Sequence, residues 1–164
     1  MGQQLGQVFD KHGWYAIGVD PCINVRYEDY YANEQFDCIT FFGVLEHINN
    51  PIQLLNKAIG MLKPNGLIVI EMPSADCLLM KYLKDNSFSP YRFIEHCRHL
   101  SFWSKFAIEH ICGKLNLRVV DLKSVGFDLQ TKFLTDDKKL VAMQDIVDKM
   151  LLGDHYRVFL KRRD

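Results

Sequence analysis

The sequence predicts an α/β protein whose open, mostly parallel sheet is covered by helices on both faces. Three observations support this: a short apolar run at Phe36–Phe42, an amphipathic segment after it, and a second apolar run at Leu67–Glu71. Apolar runs of this length are typical of strands buried on both faces, and the segment between them has helical spacing. Because helix and strand patterns keep alternating downstream, we expect one sheet of the α/β class.

The helix between the two runs is predicted from its start signal as well as from its period. Asn50 supplies a capping side chain, and Pro51 occupies a first-turn position that needs no backbone donor. Lys63-Pro64-Asn65-Gly66 then predicts a turn back into the sheet. The inward face is predicted to carry the apolar side chains Ile52, Leu55, Ala58, Ile59 and Leu62.

The other elements are predicted on either side of this unit. A helix over Gly2–His12, ended by Gly13, leads to a buried strand at Trp14–Asp20, and a short strand at Ile23–Tyr27 follows. The downstream predictions are a helix capped by Ser104, a strand at Leu117–Leu122, a helix starting at Thr135-Asp136-Asp137 and a closing strand at Tyr156–Leu160.

Length and composition indicate one domain, residues 1–164, of a soluble protein. The formal net charge is zero and the basic residues are scattered, so a nucleic-acid partner is not indicated. The five cysteines show no paired spacing, which is typical of reduced thiols. No apolar run approaches the ~20 residues that a bilayer requires, and no signal peptide is evident, so no membrane partner and a cytoplasmic location are expected.

Several short motifs occur in a fixed order along the chain. They are Gly18-Val19-Asp20-Pro21, Phe36-Asp37, Val44-Leu45-Glu46-His47, Asn50-Pro51, Leu62-Lys63-Pro64-Asn65-Gly66, Ile70-Glu71-Met72-Pro73 and His99-Leu100-Ser101-Phe102-Trp103-Ser104. Together they resemble the class I S-adenosylmethionine-dependent methyltransferases, in particular the subgroup whose fourth strand ends in Val-Leu-Glu-His. The resemblance implies a Rossmann-like sheet with an antiparallel last strand and S-adenosylmethionine as the cofactor.

The resemblance also implies where the cofactor binds. Asp20 would accept hydrogen bonds from the two ribose hydroxyls, and Phe42 and Gly43 would line the adenosine and methyl-donor pocket. Gly2 matches the last glycine of the family's glycine-rich loop, beside the methionine portion. The alternatives are an ordinary Asp-Pro turn at Asp20 and a flexible terminus at Gly2. Asp29 or its neighbour Glu28 could reach the adenine side.

Two histidines are the candidate catalytic residues. By the resemblance His47 lies near the reacting centre, where it would orient the acceptor or take its proton; the alternative is that Glu46-His47 caps a helix. His99 would face the substrate cleft or hold Ser101 and Ser104 in place, and residues 76–99 would form a lid that selects the acceptor. No metal site is expected, because His96, Cys97 and His99 have no second ligand cluster at zinc spacing.

The predicted function is therefore methyl transfer to a small-molecule acceptor. The alternative is a non-catalytic methyltransferase-like interaction module; a nicotinamide-dependent enzyme is disfavoured because no Tyr-x-x-x-Lys pair is present. The chain begins close to the matched glycine, so the family's first strand and earlier glycines are expected to be missing. That absence predicts weak or no cofactor binding and a homo-oligomer formed through unpaired sheet edges.

Overall fold

The structure is a computed structural model that describes residues 12–20, 29–30, 35–78, 80–81, 99–126 and 137–163. The chain divides into two compact units, residues 1–35 and 36–164. Gly2, the strand predicted at 23–27, the helix predicted at 2–12 apart from His12, and most of the 76–99 segment lie outside the described residues. No helix in the described ranges is long and apolar enough to cross a membrane.

The second unit contains a mixed four-stranded sheet. Its strands are β1 (Phe36–Phe42), β2 (Leu62–Pro73), β3 (Leu117–Val125) and β4 (His155–Arg162), arranged in the order β1-β2-β4-β3. β1 and β2 are parallel, whereas β4 is antiparallel to both of its neighbours. Three of the four strands therefore point the same way, and the prediction of an α/β sheet with an antiparallel last strand is confirmed.

Two helices begin where the sequence signals predicted, after Asn50 and after Ser104, and residues 135 and 136 of the third predicted start lie outside the described residues. The helices are α1 (Pro51–Gly60), α2 (Lys105–Lys114) and α3 (Asp137–Lys149), and a single 3-10 turn covers Leu45–His47. Asn50 Oδ1 accepts a hydrogen bond from Gln53 N at 3.1 Å, and Ser104 Oγ accepts one from Ala107 N at 3.1 Å. Each side chain satisfies a backbone donor that the first helical turn leaves unpaired, and so fixes the helix start.

The turn predicted at Lys63–Gly66 lies within the span of β2 as an irregularity. Phe36 pairs with Leu62, but Cys38, two residues on, pairs with Leu67. The excursion between these pairs includes Asn65, whose φ is 65°. The chain thus turns as predicted within the span of β2.

The core is centred on the two middle strands of the sheet. β2 and β4 lie side by side between β1 and β3, so the backbone of each is paired on both sides. The largest fully buried apolar side chains are Leu45, Leu55, Leu62, Ile68, Ile70, Met72, Leu117, Tyr156 and Val158.

Two strand predictions are wrong in part. Residues 14–20 form neither helix nor strand, and Trp14 and Tyr15 are exposed by 55% and 78%. β1 is a strand, but Phe41 is its only buried side chain, so it is not buried on both faces. Both predictions fail for the same reason, because an apolar run becomes a fully buried strand only where other parts of the chain pair with it and pack on it. β1 is an edge of the described sheet, so one of its sides is unpaired there.

Candidate functional site

The candidate site lies where β1 and β2 end. Because the two strands are parallel, their carboxyl ends meet at one edge of the sheet, which is where α/β sheets bind ligands. Gly43 follows β1 there, with a φ of 63°, and its N–H donates to the Glu71 carbonyl of β2 at 3.0 Å. Glu71 itself is paired with Arg157 across the β2–β4 ladder, at 2.5 Å from Oε2 to Nη2.

A distant segment, residues 99–104, is attached to this edge by backbone hydrogen bonds. Trp103 forms a parallel bridge with Ser74, directly after β2, and its carbonyl accepts from Ala75 N at 3.1 Å. The Glu46 carbonyl accepts from Leu100 N at 2.6 Å and from Ser101 N at 3.3 Å. Two parts of the chain about fifty residues apart are therefore held in a fixed relation.

These bonds bring together three side chains, which we call the Glu46–His47–His99 cluster. One ligand atom of each lies within 4.8 Å of the others. His47 Nε2 is 3.8 Å from Glu46 Oε1, and the two imidazole rings are 4.9 Å apart between centroids. The two predicted catalytic histidines thus lie side by side, and Glu46 joins them.

The carboxylate of Glu46 is buried, whereas the imidazoles reach the surface. The Glu46 side chain is 4% exposed and that of His47 is 42% exposed. Within the described part of the chain, Glu46 Oε2 is buried without a hydrogen-bond partner. A Cβ built on Gly43 would lie 3.6 Å from Glu46 Oε1, so the glycine borders the carboxylate. Burial of an incompletely paired carboxylate is costly, which is typical of functional groups.

The predicted cofactor residues fall in both units of the chain, and one of them is outside the described residues. Phe42 is half-buried at the end of β1 and Gly43 is exposed next to it, so a ring and bare backbone are open at the strand end where the resemblance puts the cofactor. Asp20 is half-buried in the first unit, at the end of a segment without regular structure. Gly2 lies outside the described residues. Asp29, the alternative adenine contact, is exposed in a turn.

A second cluster of polar side chains is centred on Asp76, in the segment after β2. Asp76 Oδ2 accepts from the Lys105 N–H at 2.8 Å and from the Tyr156 hydroxyl at 3.0 Å, which ties α2 and β4 to the segment after β2. Burial raises the pKa of Tyr156 to about 12, and the neighbouring Asp76 carboxylate adds to the rise while Ser74 opposes it. The group is saturated with internal bonds, so we assign it to support of the site.

Sequence reasoning missed the role of Glu46 as the buried member of the cluster. The sequence pairs Glu46 with His47 as a motif, and the alternative that this pair caps a helix stays a prediction, although the side chain that caps α1 is that of Asn50. The acidic side chain of Glu46 amid apolar neighbours was the available signal, because an acid is rarely fully buried without a reason.

The sheet and its helices define an α/β domain of the Rossmann-like type with an antiparallel last strand. The sequence model of a methyltransferase domain family matches residues 3–122, most of the chain. The chain therefore belongs to the class I S-adenosylmethionine-dependent methyltransferases. No curated protein matches it.

Solved structures share the fold at low sequence identity. An S-adenosylmethionine-dependent methyltransferase from Thermotoga maritima, described as a possible histamine N-methyltransferase, has a TM-score of 0.58 at 11% identity, covering 98% of this chain and 69% of its own. An S-adenosylmethionine-dependent methyltransferase from Archaeoglobus fulgidus has 0.55 at 16%, covering 95% and 71%. The plantazolicin methyltransferase BpumL, in complex with a pentazolic desmethylPZN analog and SAH, has 0.60 at 13%, covering 99% and 73%.

Proposed function

We propose that this chain binds S-adenosylmethionine and transfers its methyl group to a small-molecule acceptor beside the Glu46–His47–His99 cluster. One observation carries the proposal: a methyltransferase-family chain places this cluster at the carboxyl ends of two parallel strands. The half-buried Phe42 and the exposed Gly43 border the same edge, so both are accessible to a methyl donor bound there.

The residues assigned to the cofactor are those that the resemblance implies, and two of them, Phe42 and Gly43, lie at the accessible end of β1. Bound there, the cofactor supplies an activated methyl group on its sulfonium. Phe42 packs against the adenosine portion and the Gly43 backbone lines the methyl-donor side, while Asp20 accepts from the ribose hydroxyls and Gly2 adjoins the methionine portion. Since an in-line displacement needs no protein nucleophile, positioning and exclusion of water are the main tasks of these residues.

The acceptor is handled by the two imidazoles. His47, with a 42% exposed side chain, is accessible to a substrate and orients the acceptor or takes its proton. His99 packs beside it and against the edge of Phe102, with centroids 5.7 Å apart, so its ring is held in place. Glu46, below both, orients the His47 ring.

The choice of acceptor is assigned to residues 76–99, which act as a lid. They connect the end of β2 to the segment that carries His99. The protein works in the cytoplasm, without a nucleic-acid or membrane partner, and self-associates through the edge of its sheet.

The first prediction tests the cofactor site. Asp20→Ala should weaken S-adenosylhomocysteine binding about ten- to a hundredfold, which corresponds to loss of one or two hydrogen bonds to a charged acceptor. Calorimetric titration of both proteins measures this, at protein concentrations high enough for the weak binding expected from the sequence. Asp37→Ala, at the opposite end of β1, is the matched control.

Equal affinity of Asp20→Ala and the parent would remove Asp20 from the site. No saturable binding by the parent into the millimolar range would reject methyl transfer by this chain, and would favour the interaction-module alternative.

A further inference from the structure

We propose that the Glu46–His47–His99 cluster is a binding site for a divalent transition-metal ion. Two imidazoles and one carboxylate form a ligand set that such ions accept, with coordination positions left for water or substrate. The cluster was not evident along the sequence because Glu46 and His47 lie far from His99. The fold brings them together after β1 and β2 end.

The spacing of the three side chains suits an ion. Two ligands that are each ~2.1 Å from a tetrahedral ion are ~3.4 Å apart. His47 Nε2 and Glu46 Oε1 are 3.8 Å apart, so this pair needs to close by only ~0.4 Å. The full set lies within 4.8 Å, so rotation of an imidazole that closes the widest pair by at most ~1.4 Å completes a three-ligand site.

The carboxylate gives an independent reason to expect a cation. Glu46 is 3% exposed, and in the described ranges its Oε2 atom is buried without a hydrogen-bond partner. The His47–Glu46 separation of 3.8 Å is longer than a hydrogen bond. A buried carboxylate with unsatisfied acceptor capacity is stabilised by a directly coordinated cation, which offsets its lost hydration.

The surroundings hold these ligands in place and leave one side open. The Glu46 carbonyl is fixed by Leu100 N and Ser101 N, and the His99 ring contacts the Phe102 edge at an interplanar angle of 72°. Gly43, which has no side chain, borders the carboxylate. These contacts restrict the backbone of Glu46 and the ring of His99, so less conformational freedom is lost when an ion binds.

The inference concerns binding alone and does not depend on methyl transfer. With an ion bound, His47 and His99 are ligands, so an acceptor would meet the ion instead of an imidazole base. The ion would then supply a positive charge for positioning an acceptor oxygen or nitrogen.

Cobalt(II) titration of the whole chain, without methyl donor, tests the site by calorimetry and visible absorption. We expect about one ion per chain, with affinity reduced about tenfold or more in Glu46→Gln, His47→Ala and His99→Ala. His110→Ala is the matched control: His110 is an exposed histidine on α2, stacked on Phe106 at 6.2 Å, and its loss should leave affinity unchanged.

Thermal unfolding of each variant shows whether it is folded before titration. Should Glu46→Gln fail to fold, the two histidine variants decide, because His47 is exposed and His99 is half-buried. The proposal is overturned if the parent chain binds no cobalt saturably, or if the cluster variants bind as tightly as the parent. The latter result would place the ion on other ligands, such as the cysteines.

Discussion

At the scale of single residues, His47 combines exposure with a fixed position. Its backbone N–H donates to Val44 O at 3.0 Å, and its side chain lies between Glu46 and His99. A side chain held in this way can position an acceptor, whereas the proposed cofactor contacts lie on other residues. Chemistry and cofactor binding should therefore be separable by mutation.

We accordingly predict that His47→Ala lowers turnover much more than it lowers cofactor affinity. Loss of a general base or of an acceptor contact typically costs about 10²- to 10⁴-fold in rate. Release of S-adenosylhomocysteine, measured with an acceptor chosen from a panel of small amines and alcohols, gives turnover, and calorimetry gives affinity. An equal loss in both quantities would assign His47 to the cofactor pocket instead.

Tyr156 makes the free energy of unfolding depend on pH in the alkaline range. Burial raises its pKa to about 12 in the folded protein, above the ordinary value of 10.0. Since the folded value is the higher one, the stabilisation is complete below about pH 10 and is lost as the pH rises through about 12. The free energy of unfolding, from denaturant titrations between these pH values, should fall less steeply in Tyr156→Phe than in the parent. Tyr15→Phe, at a 78% exposed position, should keep the parent slope.

At the scale of secondary-structure elements, two glycines near the junction of α1 and β2 differ in the space available to an added side chain. A Cβ on Gly66 would lie 2.6 Å from Leu62 Cγ and 3.0 Å from the Lys63 carbonyl, and Leu62 is fully buried. Gly60, the last residue of α1, has nothing within 4 Å of a Cβ.

Gly66→Ala should therefore destabilise the protein by about 1–3 kcal/mol through overpacking. Gly60→Ala should instead stabilise it by about 0.5–1 kcal/mol, because alanine loses less conformational freedom in a helix. Denaturant unfolding of both variants gives the two free energies. A stabilising shift in Gly66→Ala would mean that the predicted crowding relaxes without cost, and a destabilising shift in Gly60→Ala would contradict the helix-propensity argument.

The sequence predicted the features that depend on nearby residues correctly, but it did not predict correctly which of the apolar segments pair as strands. Asn50 and Ser104 were predicted correctly as caps because capping depends on residues within one turn. The prediction of a strand at 14–20 is wrong, since an apolar run carries no information on whether a neighbouring strand pairs with it. For the site, the motif order led to both histidines, but the burial of Glu46 depends on contacts fifty residues away in sequence.

At the scale of the whole molecule, the described sheet has two edge strands, β1 and β3, which differ in charge. β3 carries Arg118, Asp121 and Lys123, whereas Asp37 is the only charged residue of β1. In β1, Ile39 and Phe42 are half-buried and Thr40 is exposed. Edge strands with apolar side chains and few charges tend to pair with other chains. β1 also ends at the candidate site, so any partner strand there would adjoin that site.

Self-association through β1 should therefore increase with protein concentration, and Thr40→Lys should reduce it. A lysine on an exposed edge position opposes strand pairing because its charge must remain hydrated. Size exclusion with light scattering over a concentration series measures the mass of both proteins. Gln53→Lys, which adds the same charge on the exposed face of α1, is the control for a general charge effect. If the parent is a monodisperse monomer at every concentration, the edge of β1 is covered within the chain and the argument from exposed edges fails.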